Sequence, residues 1–198
     1  MHAKARRWVL RKGRREPGFE YGFLVGVRAG AKPTAYHRKF RGEKGRAPIP
    51  RGQISIDVAT RSVFVHFHHN HPSCQSLSSG DFEQLFRVRA FEALWAHGND
   101  GSMFRASFIT FASGGMIATQ DMMGRMFDMA YTQARIEAPP PDPRLKVLYF
   151  FVPRIVALVL HERGIIEFAQ ARTMSHELRW RPHADMLASM IHEVRQVY

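Results

Sequence analysis

The sequence lacks several features that would place the chain outside the ordinary globular class. Its 198 residues include one cysteine, so no disulfide can form within the chain. The longest apolar run, residues 145–160, is interrupted by Pro153 and Arg154 and falls short of the roughly 20 residues that a spanning helix needs. We therefore predict a buried helix there and no membrane span. The lone cysteine favours a reducing, cytoplasmic location, with secretion as the alternative.

Acidic residues are also scarce. The chain has 17 Asp and Glu against 29 Lys and Arg, which gives a formal net charge of +12. Such a surface attracts an acidic protein, a nucleic acid or an anionic membrane, and charge alone does not choose among them. Residues 1–17 concentrate the charge, with seven Lys and Arg before the first acid, Glu16. We predict a solvated basic tail there; a nucleic-acid or nuclear-import patch and a point of attachment to something larger are the alternatives.

The apolar pattern predicts alternating strands and helices. Strands are expected at residues 20–27, 31–40, 62–69, 103–112 and 164–168, with a strand or turn at 53–58 and a loop at 41–50. Helices are expected at residues 81–97, 118–137, 145–161 and 183–197. The predicted fold is α/β (α+β), with a mixed central sheet flanked by helices. The predicted organisation is a main domain at 18–137, a Pro-rich linker at 138–143 and a mainly helical C-terminal extension at 144–198.

The histidines at the end of the third predicted strand point to a metal. His69 and His71 are two residues apart, so their imidazoles face the same side of a strand. Asp81 returns nine residues after Pro72, at the start of the next predicted helix. Zinc accepts imidazole nitrogen and carboxylate oxygen, and three protein ligands leave the fourth position open for water, as catalytic zinc sites do. The sequence therefore predicts a catalytic Zn²⁺ site.

The same residues resemble a known signature. The motif HNHP at residues 69–72, followed by Ser78 and Asp81, resembles the JAMM signature of the JAB/MPN zinc metalloproteases. It is similar to bacterial RadC-like and to toxin- or phage-associated JAB domains. The resemblance covers residues 18–115 and implies a JAB/MPN (cytidine-deaminase-like) architecture, with toxin-like delivery as an alternative to a cytoplasmic location. Five residues separate the proline from Ser78, where many members have six, so Ser79 stays open as the alternative serine.

The resemblance also implies roles for individual residues. Zinc would be held by three ligands: His69, His71 and Asp81. Ser78 would stabilise an oxyanion, although the plainer interpretation of that serine is a helix N-cap. The family has a glutamate on an early strand that moves the proton of the zinc-bound water, and Glu20 stands in a similar pattern. Glu16 and Glu43 are the alternatives, the first beside the basic segment and the second in a predicted loop.

Two classes of function remain. The first is a zinc-dependent metallohydrolase that cleaves peptide or isopeptide bonds of a protein substrate, including one with a ubiquitin-like tail, by attack of zinc-bound water. The alternative is a basic nucleic-acid- or protein-binding module of RadC-like type with weak or no catalysis. Retention of all three ligands favours the enzyme. His66 and His68, on the other face of the strand, are predicted to be packing or solvent residues. Cys74 is predicted to be incidental, because no partner base is visible.

Overall fold

A six-stranded mixed sheet forms the centre of the molecule in the computed structural model, which describes residues 1–28, 36–45, 54, 63–88 and 90–198. The strands are β1 (Phe19–Arg28), β2 (Tyr36–Lys44), β3 (Val63–His71), β4 (Phe91–Gly98), β5 (Met103–Phe108) and β6 (Ile166–Ala171). Their order is β2-β1-β3-β4-β5-β6, in which β3 and β4 run parallel and the other neighbours antiparallel. The predicted fold class is confirmed.

Helices cover both faces of this sheet. They are α1 (His2–Arg15), α2 (Ser79–Arg87), α3 (Gly115–Glu137), α4 (Arg144–Glu162), α5 (Met174–Trp180) and α6 (Ala184–Arg195), with a 3₁₀ turn at Arg181–His183 between the last two. One large apolar core joins the sheet to α2, α3, α4 and α6, whereas α1 packs in a smaller cluster on the opposite face. Within the described part of the chain no helix is long and apolar enough to cross a bilayer, as predicted.

Strand alternation divides the side chains between these two cores. On β1, Phe23 and Val25 face α1, whereas Leu24 belongs to the large core. On β3, Phe67 lies in the large core and crosses over Gly22 of β1. A Cβ at Gly22 would lie 2.5 Å from that phenyl ring, so the absence of a side chain at this position lets the two strands pair closely.

The segment predicted as one helix over residues 81–97 differs in the structure. The helix ends at Arg87, and the chain returns as β4, which pairs parallel to β3 with Ala96 opposite His69. Burial of Phe91 and Leu94 in the large core outweighs the helical pattern of this stretch. The second strand covers Tyr36–Lys44 and so extends into the predicted loop. The predictions for residues 31–35, 46–50, 53, 55–58 and 62 fall outside the described residues.

The N-terminal segment differs from the predicted solvated tail. It forms α1, in which Ala5, Val9 and Gly13 recur every four residues and give a narrow buried stripe on the sheet. Polar contacts also fix the helix, because the Arg6 guanidinium donates to the carbonyl of Gly101 at 2.8 Å. The C-terminal part also belongs to the main structure. Helices α4 and α6 contribute to the large core and β6 completes the edge of the sheet.

Gly13 gives a test of this docking. A Cβ at Gly13 would lie 2.4 Å from Nδ2 and 2.8 Å from Cγ of Asn70, whose side chain is buried against β1. Alanine normally stabilises a helix interior by about 1 kcal/mol relative to glycine. We expect Gly13→Ala to do the opposite, lowering the free energy of unfolding by about 1–2 kcal/mol. The reason is that Asn70 must move and leave buried backbone groups unsatisfied.

Gly124 provides the matched control. It also lies inside a helix, α3, but a Cβ there would meet nothing within 4 Å. Gly124→Ala is expected to raise stability by up to about 1 kcal/mol through helix propensity alone. Urea denaturation followed by circular dichroism measures both. Equal stabilisation by the two substitutions would show that Gly13 of α1 does not pack against the side chain of Asn70.

Candidate metal centre

The site is built at the carboxyl end of β3, where the strand stops at His71. Val65, Phe67, His69 and His71 share one face of the strand by alternation. The first two enter the large core, and the two histidines continue the same line to the edge of the sheet. Pro72, which cannot donate a hydrogen bond to a sheet ladder, follows at once in a turn. The apolar pattern of the strand therefore orients both imidazoles toward one point.

The two imidazoles meet directly. His69 Nε2 lies 2.8 Å from His71 Nε2, and both rings are buried. His71 Nδ1 is 3.1 Å from the carbonyl oxygen of Gln75 and donates to it, so Nε2 is the ring nitrogen that faces the site. His69 Nδ1 is buried and has no hydrogen-bond partner among the described residues. The two imidazole rings therefore direct their Nε2 atoms toward the same point, an arrangement that suits a shared metal ion.

Asp81 closes the group from the opposite side. Its Oδ1 lies 3.2 Å from His69 Nε2, and its Oδ2 lies 3.2 Å from His71 Nε2. The carboxylate is held by the first turn of α2, because Ser78 is the N-cap and Asp81 occupies the third helical position. The amide and the hydroxyl of Ser78 donate to Asp81 Oδ2 at 2.8 and 2.7 Å. This capping box fixes the helix start and the carboxylate together.

Glu20 provides the fourth polar group. Gly22 of β1 stands opposite His69 of β3, so two residues along the antiparallel strand bring Glu20 beside His71. The side-chain donors of Glu20, His69 and His71 lie within 4.8 Å of one another, a spacing that could hold a metal ion. Glu20 is 8% exposed and lines the mouth of the site. The alternatives lie elsewhere: Glu16 pairs with Arg41 at 2.8 Å, and Glu43 is exposed on the edge strand β2.

Burial and charge oppose each other in this group. Burial alone lowers the pKa of His71, but its hydrogen bond to Asp81 and the charges of Asp81 and Glu20 outweigh burial and raise the pKa to about 9. Burial raises the pKa of Asp81, yet the charge of His69 and the hydrogen bonds from both imidazoles bring it well below its usual range. His71 and Asp81 therefore form an imidazolium–carboxylate pair at neutral pH. A metal ion that binds there must displace a proton from His71.

A cleft of about 520 Å³ opens over the group. Glu20, His71, Ser78 and Asp81 are in its wall, and its remaining polar lining comes from Ser73, Gln75, Ser79, Glu83 and Gln84. Its volume is in the range of small-molecule and short-peptide sites. Three carboxylates and no Lys or Arg line it among the described residues, so the cleft is locally acidic in a protein of net charge +12. A cation at the histidines would offset that local charge.

The other predicted residues divide clearly. Ser78 lies in the cleft wall, and its hydroxyl is engaged by Asp81, as the N-cap interpretation requires. Its catalytic role stays a prediction. Cys74 is half buried in the loop after His71 with a positive φ of 61°. Burial raises the pKa of its thiol, which disfavours a reactive thiolate.

A second group of histidines lies on the opposite face of β3, beneath α1. His68 Nδ1 is 2.9 Å from His97 Nε2, and His68 Nε2 is 2.9 Å from Nδ1 of His2. His66 Nε2 pairs with Glu92 at 3.2 Å. Burial lowers the pKa of His68, and it lowers that of His97 to about 3, so these rings pack as neutral groups. Sequence reasoning missed His2 and His97, because α1 and β4 were expected to be tail and helix.

Comparison with known proteins adds no relative. No family model matches the chain, and a search among curated proteins finds no match. The resemblance to the JAMM signature therefore rests on the sequence from His69 to Asp81 alone.

Proposed function

We propose that the protein is a zinc-dependent hydrolase that cleaves amide bonds, either peptide or isopeptide, in a protein substrate. The observation that supports this proposal best is the convergence of Glu20, His69, His71 and Asp81 on one point beside the cleft. Two imidazoles and one carboxylate make up the donor set of many catalytic zinc sites. A second carboxylate beside them is the group that hydrolysis needs to move a proton.

The chain divides the work among these residues. His69, His71 and Asp81 hold the metal, which, when bound, polarises a carbonyl and lowers the pKa of a coordinated water toward about 7. Glu20 borders the imidazoles on the cleft side, so its carboxylate can accept the proton of the attacking water. It can then return that proton to the leaving amine. Because His69, His71 and Asp81 are buried, bulk water is kept away from their ligand atoms.

Ser78 has two uses that compete for one hydroxyl. In the structure its Oγ–H donates to Asp81 Oδ2 and orients the carboxylate. To stabilise the oxyanion of a tetrahedral intermediate, the hydroxyl must turn from Asp81 toward the substrate. We propose that Ser78 orients Asp81 and that the same hydroxyl, turned toward the substrate, would donate to the oxyanion.

The substrate class follows from the cleft. Its carboxylates disfavour an acidic substrate segment, and its polar lining suits a chain with hydrogen-bonding groups. A ubiquitin-like tail or another unstructured protein segment meets both conditions. The binding-module alternative concerns a different surface, since the basic helix α1 lies on the other face of the sheet. Catalysis and binding therefore do not exclude each other.

Metal analysis and hydrolysis assays test the proposal together. We expect about one zinc per chain and cleavage of quenched-fluorescence peptide or isopeptide substrates that a chelator abolishes and added zinc restores. Stoichiometric zinc with no cleavage across a broad peptide and isopeptide library would favour the binding-module alternative. A protein that takes up no zinc after refolding with the metal would remove the hydrolase proposal.

A further inference from the structure

The exposed side of α1 presents a continuous row of cations. Lys4, Arg7, Arg11 and Arg14 follow one another at spacings of three or four residues, so they align on one side of the helix. At 1.5 Å per residue the row is about 15 Å long. The helix has no Asp or Glu. Within the described part of the chain, Lys4, Arg7 and Arg11 form no ion pair, and Arg14 donates only to the carbonyl of Asn99.

Helix stability does not account for this row. Cations at the C-terminal end of a helix, such as Lys12, Arg14 and Arg15, interact favourably with the helix dipole. Lys4 lies in the first turn, where the dipole is positive, and each like-charged pair three or four residues apart destabilises the helix. The row is therefore maintained against the stability of the helix that displays it, as expected for a surface that meets a polyanion.

An aromatic ring lies beside the row. Trp8 is half buried and packs edge-on against Tyr21 and Phe23 of β1, at centroid distances of 5.9 and 5.8 Å. From β2, the ammonium of Lys39 lies 5.7 Å from the centre of the indole. A shallow pocket of about 450 Å³ is lined by Trp8, Phe23 and Lys39 together with Lys4, Arg7 and Arg11. Here one partly exposed aromatic side chain is surrounded by four cations.

We propose that the surface formed by α1 and β2 binds single-stranded nucleic acid. The phosphates follow the row from Lys4 to Arg14, and one base enters the pocket against Trp8. A positively charged track with a stacking ring beside it is how proteins bind single strands with little sequence preference. A duplex keeps its bases stacked inside and offers nothing to the indole, so a single strand uses both features.

Other polyanions use only part of this surface. A membrane would need an apolar face to insert, and the apolar stripe of α1, at Ala5 and Val9, is already buried on the sheet. An acidic protein would match the cations but would leave the indole pocket without a specific occupant. The metal cleft is on the opposite face and locally acidic, so it repels phosphate.

Fluorescence anisotropy of the full chain with labelled 12-mers tests the proposal. We expect oligo-dT and oligo-U to bind at least tenfold more tightly than a 12-base-pair duplex, with a linear fall of log affinity against log salt. Equal affinity for the two single strands indicates that phosphates and base faces alone are recognised. A tenfold preference for oligo-U indicates that the ribose is read as well. Unlabelled polyglutamate and phosphatidylserine vesicles are the competitors.

Two sets of variants assign the surface. Arg7→Gln/Arg11→Gln is expected to weaken binding at least tenfold and to reduce the salt slope by about 1.4, or about 0.7 for each lost phosphate contact. Lys146→Gln/Arg181→Gln removes the same charge from exposed positions away from α1 and should leave affinity within about twofold. Trp8→Leu should cost about tenfold with an unchanged salt slope, since stacking and not charge is lost.

Several results would overturn the proposal. They are tighter binding of the duplex than of either single strand, displacement by polyglutamate or vesicles at equal charge concentration, and an equal loss in the Lys146→Gln/Arg181→Gln control. Absence of binding at 50 mM salt would also overturn it. If thermal denaturation shows that Trp8→Leu is unfolded, the arginine pair, whose side chains are at the surface, decides alone.

Discussion

His69→Ala, His71→Ala and Asp81→Ala are each expected to lose most of the bound zinc, and His69→Ala/His71→Ala is expected to lose all of it. The two Nε2 atoms are 2.8 Å apart and Asp81 reaches both, so each removal takes away one of three protein ligands at one centre. Hydrolysis should fall with the metal, by at least a thousandfold. Zinc content by atomic spectrometry and a thermal denaturation curve are measured on the same sample.

His66→Ala is the matched control for this experiment. It removes an imidazole from the same strand, but from the face beneath α1, where His66 pairs with Glu92. We expect it to retain one zinc per chain. Full zinc content in the double variant, or an equal zinc loss in the control, would contradict the assignment of the centre.

Glu20→Gln is expected to keep the zinc and the fold and to lose nearly all hydrolysis, by about a thousandfold or more in kcat. The amide has almost the same shape as the carboxylate but cannot accept a proton, so only the proton transfer is lost. The measurement is a comparison of kcat at saturating substrate with zinc content determined in parallel. Glu43→Gln on the exposed edge strand β2 is the matched control and should be fully active.

The same variant distinguishes two roles for Glu20. The carboxylate of Glu20 and the imidazoles of His69 and His71 lie within 4.8 Å of one another. Glu20 could therefore bind the metal directly, and would then not be the group that carries the proton. A Glu20→Gln protein that loses its zinc would show ligation, and a Glu20→Gln protein that keeps both zinc and activity would exclude Glu20 from the reaction.

The clustering of His69, His71 and Asp81 could be predicted from sequence because its determinants are local. Alternation on β3 puts His69 and His71 on one side, and the capping pattern from Ser78 puts Asp81 in the first turn of α2. Neither depends on distant contacts, which is why the structure brings all three together as predicted. Glu20 depends on a long-range contact, the antiparallel pairing of β1 with β3, which the predicted strand at residues 20–27 does not reveal by itself.

The prediction of one helix over residues 81–97 is wrong because tertiary contacts, and not local preference, determine the second half of this segment. Glu92, Ala93 and Leu94 favour helix, and residues 88–91 contain neither Gly nor Pro to mark a break. Parallel pairing with β3 decides the outcome, since it buries β4 between two strands, and no local pattern reveals that partner.

The N-terminal helix was not predicted because its high positive charge is typical of a solvated segment. Its buried stripe has two small apolar side chains and a glycine, Ala5, Val9 and Gly13, among seven cations, so composition suggests solvent. The stripe is buried because it packs on the apolar side of β1, where it covers Phe23 and Val25. The need to bury Phe23 and Val25 can be recognised only after the two faces of β1 have been assigned.

Asn70 has a consequence for how the chain reaches its native state. Its side chain accepts from the amide of Tyr21 at 2.7 Å and donates to the carbonyl of Phe19 at 3.1 Å, so it pins β3 against β1. A slip of one residue would send His68 and Asn70 into the cleft and turn His69 and His71 toward α1. The proposed zinc site therefore forms only in chains whose β1 and β3 pair in the correct register. If zinc binds there as proposed, the rate of zinc uptake during refolding reports the rate at which these two strands pair.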